Sequence, residues 1–497
     1  MSTPLVSPAS PATALRHPRG LYTLFFTEMW ERFSYYGMRA LLILFMVAGV
    51  QSGGLGMTDE VATAIYGLYT AGVYLAALPG GWVADRLLGA QRSVWIGGLL
   101  IAFGQFSLSI PRIETFYLGL LLLIMGTGLL KPNISVIVGQ LYPEGGARRD
   151  AGFTIFYMGI NLGAAIGPLV CSTLGEKWNW RYAFIAAAFG MILGLVQFGM
   201  TRHHLGEAGK LPGHTGQSRR RDWVILGMGL GIIAGLVVMT WTGVIRPNPV
   251  VLARNTSTLI LALAAVYFLG VLLFAGLDRV EKGRIGVIAI LFVASAMFWS
   301  GFEQAGSSLN LFADRHTERM ISWTHSVIPA GWFQSLNPIF IITLAPVVAA
   351  FWMSLARRHI NPSLSVKFAV GLVLLGLGFF IMVGAARLAV AGQKAAPTWL
   401  IFTYLFHSIG ELCLSPVGLS SVTKLAPPRL VGQMMGIWFL ATSLGNLFAG
   451  LIAGEVSGEL TGQMPGRFLQ IVLTTCGTGL LLLVFAKPVK RLMGGVQ

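Results

Sequence analysis

Fourteen apolar stretches, each long enough to cross a bilayer, decide what this chain can fold into. They run over residues 21–50, 60–84, 91–110, 115–138, 151–174, 181–200, 223–245, 257–277, 286–311, 331–355, 365–386, 398–422, 432–454 and 468–486. About twenty such residues in a helix span the ~30 Å hydrocarbon layer. No water is present there to satisfy backbone N–H and C=O groups, so segments of this kind must be helical. Of the 497 residues, 55% are hydrophobic and 11% charged, with a mean hydropathy of +0.72. A soluble domain carries roughly a quarter charged residues. The expected fold class is all-α and integral to a membrane, with 14 spans.

An even number of spans puts both termini on one side. With that side as cytoplasm, 22 lysines and arginines fall on it, 10 on the other, and Arg32, Arg39 and Lys131 remain within the spans. That bias predicts cytoplasmic termini. It also accounts for the net charge of +16, so nucleic acid is not an expected partner. The first twenty residues are rich in Pro, Ser and Ala and lack the short apolar core of a cleavable signal. Cys171, Cys413 and Cys476 lie in apolar runs, and no metal-type spacing is present.

The most unusual segment is 27–39, where Glu28, Glu31, Arg32 and Arg39 sit inside the first span. Each charge costs roughly 2.5–3.5 kcal/mol at mid-bilayer, so such residues face a bundle interior or an aqueous cavity. At 100° per residue Glu28, Arg32, Tyr35 and Arg39 share one stripe, with Glu31 about a sixth of a turn away. The pattern reads as a polar path for transport or as a structural ion-pair knot. Lys131 follows an apolar run but precedes Pro132, Asn133, Ser135 and more apolar residues. It therefore fits a cavity better than a snorkelling position, and wants a carboxylate partner or proton release. Tyr157 and Asn161 lie four apart on one helical face; the asparagine reads equally as glue between helices or as a ligand contact.

The second half has its own polar set. Glu303 lies deep in a span, with Trp299 one turn before and Ser307 one turn after; Asn337 precedes Pro338; His407, Glu411 and Ser415 follow at intervals of four. His407 reads as a proton relay or a packing residue, and Trp438 as interface belt, core or substrate platform.

The basic stretch near 201–221 divides six spans from two with little charge and then six more. A six-two-six plan resembles a major-facilitator transporter with two inserted helices. Residues 80–92 resemble the short loop between its second and third helices. The expected boundaries are a tail at 1–20, a six-helix bundle at 21–201, a basic linker at 202–222, an inserted pair at 223–284, a second bundle at 285–488 and a tail at 489–497. Without the inserted pair, core helices 1, 4, 7 and 10 carry Arg39, Lys131, Glu303 and Glu411. The superfamily's pseudo-symmetry places these four around a central cavity, basic on one wall and acidic on the other. That polarity suits a zwitterion.

From about residue 20 to 488 the chain resembles the proton-coupled oligopeptide transporter family in its bacterial form. The resemblance rests on Glu28-x-x-Glu31-Arg32-Phe33 with Tyr35-Tyr36, on Asp150 through Gly163, on Phe302-Glu303-Gln304, on Asn337-Pro338 and on Glu411 to Pro416. It implies substrate contacts at Arg39, Tyr35, Tyr36, Tyr74, Lys131, Asn161, Asn337 and Glu411, with Trp299 and Trp438 as aromatic pocket positions. It implies a proton-coupling set of Glu28, Glu31, Arg32 and Lys131, and an acid, Glu303, that pairs across the bundles with Arg39. The chain departs from the family at Gly67, where animal members carry histidine, and at Thr127 and Leu130.

The resemblance implies a proton-coupled symporter importing di- and tripeptides across the bacterial inner membrane by alternating access. The alternative is a related carrier for another zwitterion, a drug or a nitrate-type anion. No catalytic cluster points to an enzyme. Expected partners are small peptides, protons and the lipid bilayer, with a monomeric protein and no cofactor besides the co-transported proton.

Overall fold

The computed structural model describes residues 17–211, 217–321, 325–457 and 461–495. The first part of the 1–20 tail, the middle of the 202–222 linker and the end of the 489–497 tail lie outside them. The helices are α1 Arg19–Val47, α2 Asp59–Val83, α3 Ala90–Leu108, α4 Ile113–Gln140, α5 Gly146–Lys177, α6 Trp180–Thr201, α7 Gln217–Trp241 and α8 Pro249–Phe274. They continue as α9 Arg279–Phe302, α10 Ser308–His316, α11 Leu336–Arg357, α12 Leu364–Val390, α13 Pro397–Leu425, α14 Val431–Ser457, α15 Met464–Val484 and the short α16 Ala486–Leu492. A two-stranded antiparallel ribbon pairs β1 Met320–Ile321 with β2 Ser326–Val327.

Each apolar run falls largely on helix. Among the described residues twelve helical segments are long and apolar enough to cross a membrane. By composition α1 and α3 fall short of that, α1 because of its charges and α3 because of Gln91, Arg92, Gln105 and Ser107. Helix starts follow local chemistry. Asp278 and Glu281 form a capping box at α9. The α8 helix begins eight residues before the apolar run at 257, so Arg254 is helical rather than in a loop. The Asn248 side chain accepts hydrogen bonds from the N–H groups of Val250 and Val251, and Pro249 occupies the first turn.

Helices α1 to α6 pack on one another, chiefly α1 on α5 and α6 and α4 on α2 and α3; α9 and α11 to α15 form a second set. The α8 helix lies against both α2 and α14, at the seam between the two sets. Gly159, Gly163 and Gly167 form a small-residue stripe on α5 that lets α1 approach closely. A Cβ at Gly163 would sit 2.1 Å from the Met29 carbonyl and 2.9 Å from Arg32 Cβ. This crossing fixes the height and rotation of the charged stripe on α1.

The two sets meet most tightly where α2 crosses α14. A Cβ on Gly67 would lie 3.1 Å from both the Asn446 carbonyl and Gly450 Cα. No histidine fits there without parting the helices, which gives the chain's departure at this position a physical reason. Gly67→Leu should destabilise the fold by about 1–3 kcal/mol through overpacking. Gly227→Leu, on a part of α7 with nothing within 4 Å, should be silent. Melting midpoints of the two purified variants check this.

Candidate functional site

A cavity of about 230 Å³ lies between the helix sets, lined by α1, α2, α4 and α5 on one side and α9, α11 and α13 on the other. Glu28, Arg32, Tyr36, Arg39, Tyr74, Lys131, Asn161, Trp299, Glu303, Asn337 and Glu411 all line it. Residues up to 383 positions apart in the chain, Glu28 and Glu411, thus converge on one space.

Arg39 spans the two sets. Its Nη2 donates to Glu303 Oε2 at 2.6 Å and its Nε to the Tyr66 hydroxyl at 2.5 Å, with both charged side chains buried. Glu303 reaches Arg39 because the helix breaks there: α9 gives way to a 3-10 turn over Glu303–Gly306 before α10 begins. The continuous helix expected over 286–311 is therefore interrupted, and Ser307 is not one helical turn from Glu303. Gly306 permits the break and the contact together, since a Cβ there would lie 1.8 Å from the Tyr66 hydroxyl.

Arg32 holds two acids at once. Its Nε donates to Glu31 Oε2 and lies 3.2 Å from Glu28 Oε1. Glu28 Oε2, Glu31 Oε1 and Arg32 Nη2 are buried without a hydrogen-bond partner among the described residues. Glu28 faces the cavity; Glu31 is fully buried behind it. Lys131 lies 4.5 Å over the Tyr74 ring, a cation–π contact, and among the described residues no carboxylate is within 4 Å of its amine. The carboxylate partner that an immersed lysine wants is thus replaced by an aromatic face.

On the opposite wall Asn337 donates to Glu411 Oε2 and Ser408 Oγ, both at 3.0 Å. The Trp299 indole N–H is buried without a partner among the described residues. Asn161 donates to the Tyr157 carbonyl at 2.9 Å, and both residues line the cavity.

Three expected site residues lie elsewhere. Tyr35 is second layer: its ring stacks on Tyr69 at 6.4 Å beneath the Arg32 guanidinium, and it does not line the cavity. Glu31 is likewise behind the wall. Trp438 packs edge-on to Phe368 and covers Gly418, partly buried and outside the lining of this cavity. His407 lines the cavity, wedged over Gly378 and Phe379 and bonded to the Leu375 backbone, while its Nε2 is buried without a hydrogen-bond partner among the described residues. Tyr66, Tyr404 and Gln334 were not expected; nothing local marks them, since their partners come from distant helices.

The cavity is sealed at the end where α1 finishes and α2 begins. There Arg315 forms a bidentate pair with Asp59 at 2.5 and 2.8 Å. The Glu176 carboxylate accepts from the Ala330 and Gly331 N–H groups at 2.6 and 2.9 Å and lies 3.2 Å from Arg319. Ser335 donates to the Ala165 carbonyl and Asn310 to that of Ala40, both at 2.7 Å.

Two helix sets closing over a charged central cavity, tied by an ion pair that can form only while they touch, define a membrane transporter. The chain belongs to the POT family, the proton-coupled oligopeptide transporters: the family model matches residues 91–463. It is 43% identical to a peptide transporter of Yersinia enterocolitica, over 98% of this chain and 97% of that one. It is 36% identical to a di-/tripeptide transporter of Lactococcus lactis subsp. cremoris, over 98% of each. It superposes on a crystal structure of the peptide transporter POT in complex with sulfate with a TM-score of 0.89, at 41% identity and covering 96% of both chains.

Proposed function

We propose that this protein imports small peptides together with protons across the bacterial inner membrane. The observation that carries the reading is the polarity of the cavity: the Lys131 amine on one wall, the Glu411 carboxylate on the other, and room for only a small solute. A free dipeptide presents a carboxylate to the first and an ammonium to the second. The names of the relatives, peptide transporter and di-/tripeptide transporter, support the same substrate class. The chain crosses the membrane fourteen times: α1 and α3 span with the twelve apolar segments because their polar residues at membrane depth, Glu28, Glu31, Arg32 and Arg39 on α1 and Gln105 on α3, are buried in the bundle. Helices α7 and α8 are the inserted pair. With the basic side as cytoplasm, both termini are cytoplasmic, the sealed end faces outward and the structure is inward-facing. The transporter works as a monomer, its cavity being complete within one chain.

Uptake of a labelled dipeptide into proteoliposomes under an imposed pH gradient tests this directly. N-acetylated and C-amidated dipeptides should compete at least a hundredfold less well than the free zwitterion. Each leaves one charge of the occluded cavity unpaired, a cost of up to about 3–5 kcal/mol for a buried group, and about 1.4 kcal/mol is a factor of ten. Equal competition by all three forms would sink the assignment.

A further inference from the structure

We propose that the cleft between α3, α6 and α7 is a binding site for the headgroup of an anionic phospholipid, separate from the peptide cavity. It encloses about 910 Å³. Its rim carries Arg92, Arg202 and Arg219; its wall is Trp95, Ile96 and Phe198. Arg92 is in the first turn of α3, Arg202 directly follows α6 and Arg219 is in the first turn of α7, so all three sit at the same end of the bundle. Among the described residues none of the three has an ion-pair partner, whereas Lys210, also on the rim, is tied to Glu207 at 2.6 Å.

The rim is built rather than loose. Gln91 Nε2 donates to the Ala208 carbonyl at 2.6 Å, the Gly209 N–H donates to Gln140 Oε1 at 2.6 Å, and Leu205 is buried. The start of the linker is thereby held against the ends of α3 and α4. Trp95 lies three residues, about 4.5 Å, deeper than Arg92. Beyond it Leu99, Phe103, Val196 and Met200 continue an exposed apolar surface up α3 and α6.

The α7 helix stands apart from this surface. Its one substantial contact among the described residues is with the turn Ala84–Leu88, and Gly227, Gly229, Gly231 and Gly235 have nothing within 4 Å. An apolar helix separated from an apolar wall at membrane depth has acyl chains between them. The headgroup at the top of those chains meets three unpaired guanidinium groups, which match a phosphodiester in geometry and sign. Basic pockets between spanning helices recognise acidic headgroups in this way.

The test uses delipidated full-length protein and native mass spectrometry, with dioleoylphosphatidylglycerol, dioleoylphosphatidylcholine and inorganic phosphate as probes. Phosphatidylglycerol should be retained at least tenfold better than phosphatidylcholine, and a large excess of inorganic phosphate should not displace it. Arg92→Gln/Arg202→Gln/Arg219→Gln should weaken retention by about a hundredfold, each basic residue contributing about fivefold. The corresponding triple lysine variant should keep most of it. If the glutamine triple does not fold, Arg202→Gln alone, at an exposed position, should show the fivefold loss. Equal retention of both lipids, or undiminished retention in the glutamine variants, overturns the proposal. Displacement by inorganic phosphate also overturns it, in favour of a free anion as occupant.

Discussion

Glu303→Gln should cut peptide transport by a hundredfold or more and leave the sealed end of the molecule open for longer. In the wild type the Arg39 guanidinium is buried, 2.6 Å from Glu303 and 2.5 Å from the Tyr66 hydroxyl. Neutralising the acid strands that cation in a site largely closed to water, at roughly 3–5 kcal/mol. The cost falls only on the state in which α1 and the α9–α10 break are in contact, because separating them lets water reach Arg39. The balance between states therefore shifts away from the closed outer end, and the cycle stalls where that closure must be regained. Spin labels at Val50 and Val327, both exposed and on opposite sides of the seal, would report the change as a longer distance distribution. The labelling background requires replacement of Cys171, Cys413 and Cys476. Unchanged distances with unchanged uptake would show that the pair does not govern closure. Arg39→Gln/Glu303→Gln should recover part of the closed population, since removing both charges leaves neither one stranded.

The features legible in the sequence were those that a single helix displays. The apolar runs located the helices because lipid leaves no other structure open to them. The α1 stripe was legible because 100° per residue gathers Glu28, Arg32 and Arg39 on one face. Glu303, Asn337 and Glu411 stood out because polar residues are costly at that depth. What a single helix does not display depended on neighbours. Tyr35 shares the α1 stripe, yet Tyr69 of α2 draws its ring into the helix interface. Trp438 is aromatic and lies in the first third of its helix, where Gly418 opens a slot that it fills. Tyr66 binds Arg39 only because Gly306, 240 positions later, leaves room. The seal of Glu176, Arg315 and Arg319 was missed for another reason: these residues lie at helix ends and loops, where charges are ordinary. The Gly-Ser-Ser at 306–308 did offer a sign of the helix break, since glycine and serine favour helix ends over interiors.

Glu28→Gln should abolish proton-driven accumulation of peptide while sparing exchange of peptide across the membrane. Among the charged groups in and around the cavity, Glu28, Glu31, Glu303 and Glu411 stand against Arg32, Arg39 and Lys131, four acids to three bases. One bound proton neutralises the set, and a neutral set re-orients through low dielectric at less cost than a charged one. Geometry separates the candidates for that proton. Glu303 is held by Arg39, Glu411 accepts from Asn337, and Glu31 is fully buried against Arg32. Glu28 shares the same guanidinium at the longer distance of 3.2 Å, keeps one oxygen without a partner, and faces the cavity that Lys131 also lines. Glutamine at position 28 imitates the protonated acid permanently, so the carrier can cycle with peptide but no longer needs a proton to do so. Glu31→Gln should behave differently, impairing exchange as well, because it removes the nearer acid from a buried arginine. Two assays on the same proteoliposomes separate these outcomes: concentrative uptake driven by a pH gradient, and counterflow at equal pH. Retention of gradient-driven accumulation by Glu28→Gln would move the coupling proton to another carboxylate, and Glu411, which among the described residues has no cationic partner within 4 Å, would be the next to test.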